Sequence, residues 1–355
     1  MATVIRFGLL SRRFFLVVWV FLSLSGCSWI KEAFPFNKHK KLTSDQLGII
    51  INQSDPTSVE IGQYYQQKRK IPPQNLIYIK FKPNRVALSP LEFQELKTQV
   101  DAQTPAHIQA YALTWASPYR VGCMSITSAF AFGYDSSYCA SGCFPTHISA
   151  YFDSDTSQPY QTFKFRPTVA IAATKVSEAK KLIDKGIAAD GKNPKGTAYL
   201  VSTNDKARNV RGLDYLNILK ELGQRFLIKI IYADALENKS DVMFYFTGVP
   251  KVNKLDSNVF LPGAIADHLT SYGGQLTNSS QMSSLRWLQS GATGSYGTVV
   301  EPCNFPEKFS NPGVLMKHYL KGDTLLEAYW KSVAMPGQGI FIGEPLARPF
   351  PKIDN

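Results

Sequence analysis

Three sequence signatures of common enzyme classes are missing from this chain of 355 residues. It contains no Gly-x-Ser-x-Gly nucleophile elbow, no phosphate-binding glycine loop and no His-Glu-x-x-His zinc motif. The glycine-rich run 291–297 lacks the lysine of a nucleotide-binding loop and precedes a predicted strand instead of a helix. These absences argue against the serine hydrolases, nucleotide hydrolases and zinc peptidases that use those motifs. The sequence predicts no metal and no cofactor.

A concentrated basic region is also missing, although the formal net charge is +12. Without three arginines near the amino terminus, 36 basic residues face 27 acidic ones, which leaves a net charge of +9. Nucleic-acid binding needs basic residues on one face, but here they are spread, with small clusters at 38–41 and 68–70. We therefore expect no nucleic-acid partner. Attraction to an anionic membrane or wall surface is the expected consequence.

The amino-terminal 27 residues contain no acidic residue and have the order of a secretory signal. Three arginines precede an apolar run at 14–22, which is well short of the ~20 residues of a spanning helix. Leu-Ser-Gly-Cys at 24–27 resembles the lipobox of bacterial lipoproteins. The resemblance implies a signal peptide at 1–26, lipid on Cys27 and a tether at 27–46. An ordinary signal peptide with an incidental cysteine is the alternative.

Two neighbouring features bear on the destination and the route of export. Ser28 resembles the residue that follows the anchor in lipoproteins sent to the outer membrane. We therefore predict a lipid-anchored envelope protein, at the outer membrane and facing the periplasm or the cell surface. Residues 11–16 resemble a twin-arginine signal, whereas the strongly apolar core is typical of general secretion, so the route stays open.

Four further cysteines fit an oxidising compartment: Cys123, Cys139, Cys143 and Cys303. An even number predicts two disulfides, with three possible pairings. The short spacing of Cys139 and Cys143 would also suit a metal site, but no second pair has such spacing. Disulfides are the preferred interpretation.

Short apolar runs alternate with helical patterns along the chain and predict an α/β fold. Strands are predicted at 47–52, 75–81, 108–115, 168–173, 198–202, 227–232, 242–246 and 298–300, and helices at 55–69, 90–103, 176–189, 213–226, 282–289, 314–320 and 324–333. The helix at 213–226 is predicted to face inward through Leu216, Leu219 and Phe226. Thr324 and Glu327 have the spacing of a capping box. This alternation predicts a mainly parallel sheet with helices on both faces.

An interruption at 117–166 divides the pattern. It contains three of the four cysteines and shows little helical periodicity. We predict an N-terminal α/β subdomain at 47–116, a disulfide-stapled insertion at 117–166 over one edge or the mouth of the sheet, and a second α/β subdomain at 167–355.

Candidate site residues follow from the rule that ligands bind at the carboxyl ends of parallel strands. The rule selects the segments 202–211, 244–250, 263–274 and 291–303, and the first of these contains two arginines that can reach an anion.

Asp267, His268 and Cys303 are the candidate catalytic set within these segments, because a thiolate nucleophile needs an imidazole base and an orienting group. The competing interpretation places Cys303 in a disulfide and His268 at the start of a helix.

Two resemblances extend beyond single motifs. The closer is to an uncharacterised family of exported proteins in bacteria with exosortase-type protein sorting. It rests on residues 263–274, 291–297, Glu-Pro-Cys at 301–303 and Gly-Glu-Pro-Leu-Ala-Arg-Pro at 343–349, and it covers nearly all of the mature length.

The more distant resemblance is to the gingipain branch of the caspase-like cysteine peptidases. The segment from Arg166 through the helix ending near Gly186 is similar to that family's entry into its catalytic subdomain. Residues 291–297, the Gly-Asp-Thr-Leu-Leu-Glu-Ala helix from Gly322 and Gly-Glu-Pro from Gly343 are similar to its closing section. The resemblance implies a caspase-like fold for 167–355.

This chain departs from that family at the catalytic positions. In the family a His-Gly pair ends one strand and a cysteine ends the next. The matching positions here are Thr247-Gly248 and the vicinity of Pro262-Gly263. The sequence therefore favours an accessory or binding protein of the envelope, with a protein or exopolysaccharide partner linked to sorting. A cysteine-peptidase-like hydrolase with a non-standard site is the alternative, and a carbohydrate-active or other enzyme is a third. The oligomeric state stays open.

Overall fold

Strands form where short apolar runs lie between turn residues, and most of the helices lie in the segments that connect successive strands. The computed structural model describes residues 41–140 and 143–351. The predicted signal peptide at 1–26, the predicted anchor Cys27 and most of the predicted tether lie outside the described residues. Among the described residues, no helix is both long enough and apolar enough to cross a bilayer.

The strands of the described chain lie in a large and a small sheet. Their bounds are β1 Leu47–Asn52, β2 Leu76–Ile79, β3 Ala87–Leu88, β4 Ala110–Leu113, β5 Arg120–Val121, β6 Met124–Ser125, β7 Thr168–Ala170, β8 Thr197–Ser202, β9 Leu227–Tyr232, β10 Val242–Thr247, β11 Phe260–His268, β12 Gly294–Thr298 and β13 Gly339–Gly343. The helices are α1 Pro56–Arg69, α2 Pro90–Gln103, α3 Ile126–Phe132, α4 Pro159–Phe163, α5 Val176–Ala189, α6 Tyr215–Leu222, α7 Leu285–Gln289, α8 Pro312–Leu320 and α9 Leu325–Ser332.

The large sheet has ten strands in the order β2-β1-β4-β7-β13-β12-β11-β10-β8-β9. All neighbours are parallel except β12 and β13, which are antiparallel. The sheet therefore consists of two parallel halves of opposite direction that meet at the β12–β13 seam. The α/β class and the mainly parallel sheet are confirmed. Because β4 pairs with β7, strands of 47–116 and of 167–355 lie in this one sheet.

Helices pack on both faces of the sheet, and the buried apolar residues form two cores, which separate the faces of β1 but meet around β8 and β10. Ile49 and Ile51 lie in one core, whereas Ile50 lies in the other, as expected when successive side chains point to opposite faces. The first core includes residues of α1, α5, α6, α8 and α9, and the second includes residues of α2, α3 and α7.

Local signals predicted several helices well. The bounds of α2 and α5 agree with the prediction, and Asp55 caps α1 by accepting a hydrogen bond from the amide of Thr57 at 3.0 Å. The capping box of Thr324 and Glu327 at the start of α9 is confirmed.

Helix α6 is shorter than its predicted range of 213–226, and its inward face was predicted in part wrongly. Leu219 and Phe226 are partly buried against the core, but Leu216 is 57% exposed. Ile218 and Leu222 are buried instead.

The insertion at 117–166 contains more regular structure than predicted. It contributes β5, β6 and the two helices α3 and α4. Ser125 caps α3 by accepting a hydrogen bond from the amide of Ser128. Helix α3 packs on β7 and β13, which are the fourth and fifth strands of the sheet. This part of the insertion therefore covers the centre of the sheet and not an edge or the mouth.

Candidate functional site

The candidate site lies at one edge of the second half of the sheet. Strands β8, β10, β11 and β12 are parallel, so their carboxyl ends share that edge. Thr247 and His268 are register partners, which places the end of β10 beside the end of β11. All four segments that the carboxyl-end rule selected contain or follow these strand ends.

A buried ion pair occupies the end of β11. The Nη1 of Arg211 donates to the Oδ1 of Asp267 at 2.7 Å, and the Nη2 donates to the carbonyl of Thr247 at 2.7 Å. The hydroxyl of Ser310 donates to the other carboxylate oxygen of Asp267 at 2.5 Å. The side chains of Arg211 and Asp267 are 4% and 2% exposed. The charge of Asp267 is therefore compensated inside the protein.

His268 has a separate environment. Its Nδ1 accepts a hydrogen bond from the indole of Trp287 at 2.9 Å, and its Nε2 lies 3.2 Å from the carbonyl of Met282. These partners fix a neutral imidazole that carries its proton on Nε2. Burial, with a smaller contribution from the charge of Arg211, lowers the pKa of His268 to about 3. Both ring nitrogens are thus engaged in the core.

The alternation of strand side chains separates Asp267 from His268. They are consecutive residues of β11, so they point to opposite faces of the sheet. Asp267 contacts Arg211 on one side, whereas His268 contacts Trp287 on the other. Asp267 therefore does not orient the imidazole. The competing interpretation of His268 as a helix-start residue is also wrong, because it ends a strand.

The four cysteines form two disulfides, Cys123–Cys139 and Cys143–Cys303. The disulfide prediction is confirmed, and the pairing is now defined. The sulfur atoms of Cys139 and Cys143 lie in different disulfides, which leaves neither as a thiolate for a metal. Cys303 likewise has no thiol to ionise in this oxidised chain. The structure therefore does not assemble Asp267, His268 and Cys303 into a nucleophile, base and orienting group.

The two arginines of segment 202–211 have different partners. Arg208 bonds to Asp205 within the same turn at 2.9 Å, whereas Arg211 pairs with Asp267. The sequence selected Arg211 because it follows β8, but it predicted that Arg211 would bind an anion from outside the protein. In the structure Arg211 binds the carboxylate of Asp267 instead. Nothing in the sequence pointed to Ser310, because it lies in an irregular segment between β12 and α8.

A cavity of about 320 Å³ borders the ion pair. We call it the Phe152 pocket; Phe152, Val210, Arg211, Asp214, Phe309 and Ser310 are among its lining residues. Aromatic and aliphatic side chains thus face carboxylate, hydroxyl and guanidinium groups, a combination common in small-ligand sites. A cavity of about 60 Å³ lies nearby, between Arg208, Thr270 and Cys303.

A wider cleft of about 530 Å³ lies between residues 250–256 and 280–286. Arg286 in its wall is paired with Asp256 at 3.0 Å. We favour the Phe152 pocket, because it borders the buried charges at the strand ends.

Several buried polar atoms at this edge have no hydrogen-bond partner within the described residues. They are the Nε of Arg208, the Nε of Arg211, the Oγ1 of Thr247, the Nζ of Lys308 and the Oε1 of Gln338. Buried polar groups are rarely left unpaired, and exceptions concentrate at functional sites. Burial also lowers the pKa of the Lys308 ammonium. The edge thus has unused capacity for hydrogen bonding.

Comparison of the chain with known proteins found no matching family model, no matching curated protein and no matching solved structure. The fold and the site geometry are therefore the basis for a functional proposal.

Proposed function

We propose that this chain is a membrane-anchored lipoprotein of the cell envelope that binds a partner and does not cleave it. The observation that carries the proposal is the burial of the candidate residues at the end of β11. Asp267 and His268 at the end of β11 are buried, and their polar atoms bond to other parts of the protein. Catalysis needs reacting groups that can touch a substrate, and these groups do not reach solvent.

The resemblance to gingipain-type peptidases supports a caspase-like scaffold without the catalytic dyad. Strand β10 ends at Thr247-Gly248, where that family has His-Gly. The sequence placed the second position near Pro262-Gly263, but β11 continues to His268. The comparable strand end therefore carries Asp267-His268, and neither strand end supplies a cysteine.

The Phe152 pocket is the proposed binding site. It is built from the insertion, the segment after β8 and the segment before α8, which are parts of the chain far apart in sequence. An envelope protein or an exopolysaccharide linked to protein sorting is the proposed partner. Placement at the outer membrane follows from the predicted anchor, Cys27, and from Ser28.

Site-specific photocrosslinking in the bacterial envelope tests the binding function. Benzoylphenylalanine replaces Phe152 in the pocket or, as a control, Leu91, which is 70% exposed on α2. We expect a covalent adduct at position 152 and none at position 91. Equal adducts at both positions, or none at position 152, would contradict a binding site in the pocket.

A turnover assay tests the hydrolase alternative. Labelled casein is incubated with the purified mature chain and with the His268→Gln variant, each checked for folding by circular dichroism. We expect both to match the buffer background. Cleavage by the parent chain that the variant loses would overturn the proposal in favour of a hydrolase.

A further inference from the structure

An exposed apolar segment lies in the insertion, immediately after Cys143. Phe144 is 65% exposed and Ile148 is 68% exposed, and Pro145 between them is also exposed. Isolated apolar side chains are common on protein surfaces, but two large ones within five residues need a reason. We call residues 144–148 the apolar segment.

The apolar segment is fixed to the body of the protein at both ends. Cys143 before it is bonded to Cys303. The amide of Ser149 after it donates to the carbonyl of Ala334 at 2.7 Å, and the amide of Thr146 within it donates to the Sδ of Met335 at 3.4 Å. The exposed side chains are thus displayed from a defined backbone, just beyond the carboxyl end of α9.

The chain enters the fold at the other end of the same helix. Lys41, the first described residue, forms an ion pair with the buried Asp323. The amide of Leu42 lies 3.4 Å from a carboxylate oxygen of Glu327 in the first turn of α9. Helix α9 has eight residues, so it is only about 12 Å long. The point of entry and the apolar segment are therefore close together.

We propose that Phe144 and Ile148 insert into the surface of the bilayer that holds the lipid on Cys27. The inference rests on the proposed lipid anchor. Thirteen residues lie between Cys27 and Lys41, so even at full extension Lys41 stays within about 50 Å of the anchored residue. The membrane-attached part of the chain thus joins the body of the protein at the start of α9, about one helix length from the apolar segment. A bilayer is the partner that this arrangement brings within reach.

Membrane contact at this side also orients the Phe152 pocket. Ser332 and Ala334 at the carboxyl end of α9 line the pocket, and Ala334 holds the apolar segment through Ser149. The pocket then lies near the membrane surface, and its ligand approaches along that surface.

Quenching of an introduced tryptophan by brominated lipid tests the insertion. The lipidated chain carries either Ile148→Trp or Leu91→Trp, two sites of nearly equal exposure at 68% and 70%. Each variant is placed in phosphatidylcholine–phosphatidylglycerol vesicles with or without brominated acyl chains, and the signal of the parent chain is subtracted. The three described native tryptophans, Trp115, Trp287 and Trp330, are buried, which limits their contribution.

We expect a blue shift and a loss of emission in brominated vesicles for Ile148→Trp and neither change for Leu91→Trp. Flotation with the vesicles, compared with Cys27→Ser, reports the anchor separately. A chain that floats but shows no selective quenching at position 148 would overturn the insertion and leave the anchor standing. A chain that does not float would overturn both.

Discussion

Arg211 and Asp267 show how burial determines the contribution of an ion pair. Their side chains are 4% and 2% exposed, whereas those of Arg286 and Asp256 are 40% and 77% exposed. Solvent screens the exposed pair, so its contribution to stability is small. A buried charge that loses its partner has no such screening.

Truncation of one partner in each pair measures this difference. We expect Asp267→Ala to lower the free energy of unfolding by about 3–5 kcal/mol, because the charge of Arg211 would stay buried without compensation. Asp256→Ala is the control and should leave the free energy of unfolding almost unchanged, because solvent screens that pair. Urea unfolding of the two variants gives both values. Similar losses would mean that the Arg211–Asp267 pair is more open to solvent than the structure shows.

His268 makes stability depend on pH. Its pKa of about 3 in the folded protein is below the ordinary value of 6.5, so the unfolded chain binds a proton first as the pH falls. The folded state therefore loses stability from pH 6.5 downward, by about 2 kcal/mol between pH 7 and pH 5 for this group. Above pH 6.5 the histidine is neutral in both states and has no effect.

Replacement of His268 by glutamine isolates this effect. The amide can accept from Trp287 and donate to the carbonyl of Met282, but it does not titrate. We expect the variant to lose about 2 kcal/mol less than the parent chain between pH 7 and pH 5, measured by urea unfolding. Parallel pH profiles would show that His268 is free to take a proton in the folded state.

The two edge strands of the large sheet, β2 and β9, differ in whether a side chain bonds to their outward backbone groups. The side-chain amide of Gln103 accepts from the amide of Tyr78 in β2 at 3.1 Å and donates to the carbonyl of Tyr78 at 3.0 Å. It thus satisfies the backbone amide and carbonyl of Tyr78, to which another strand could pair. Among the side chains of the described residues, none bonds in this way to β9 at the other edge.

Removal of this cover should promote pairing between chains. We expect Gln103→Ala to associate more strongly with rising concentration, because unpaired strand edges accept strands from other molecules. Gln99→Ala, an exposed residue four positions earlier on α2, is the matched control. Sedimentation velocity over a concentration series distinguishes the two variants. Identical profiles would show that the amide does not protect the edge.

Elements whose sequence signal lies within a few neighbouring residues were predictable. Elements that depend on contacts with distant residues were not. Helix α5 and the capping box of α9 depend on residues within a few positions, and both agree with the sequence prediction. Strands β12 and β13 are rich in glycine, so their side chains show no strand pattern. A Cβ at Gly339 would lie 1.7 Å from the hydroxyl of Tyr296, a constraint that only the folded neighbours reveal.

The site was predictable only in part, for a similar reason. The carboxyl-end rule selected the correct edge, because it depends on strand direction alone. The partners at that edge come from distant segments; Arg211 and Ser310 reach Asp267 from 56 and 43 residues away. Helix α3 was missed because its seven residues are almost all buried, which removes the polar face that makes a helix visible in sequence.

At the scale of the whole molecule, the disulfides close loops of very different length. Cys123 and Cys139 are 16 residues apart, whereas Cys143 and Cys303 are 160 apart. A cross-link restricts the unfolded chain more when the loop is longer. The second disulfide connects the insertion to the segment after β12, the strand at the seam between the two parallel halves.

The loss of stability when each disulfide is removed should follow the length of the loop that it closes. We expect Cys143→Ser/Cys303→Ser to cost about 5 kcal/mol and Cys123→Ser/Cys139→Ser about 3 kcal/mol in free energy of unfolding, from loop-closure entropy. Chemical unfolding under non-reducing conditions gives both values. The reverse order would indicate that contacts around Cys123 and Cys139 outweigh the entropy of the loop.

The position of β13 has a consequence for the timing of folding. This strand lies between the two parallel halves, next to β7 and β12, yet it is the last strand of the described chain. A ribosome makes its two neighbours, Thr168–Ala170 and Gly294–Thr298, before Gly339–Gly343 exists. The continuous sheet therefore cannot close until this final segment has been made, so the two parallel halves of the unfinished polypeptide stay unjoined during most of synthesis.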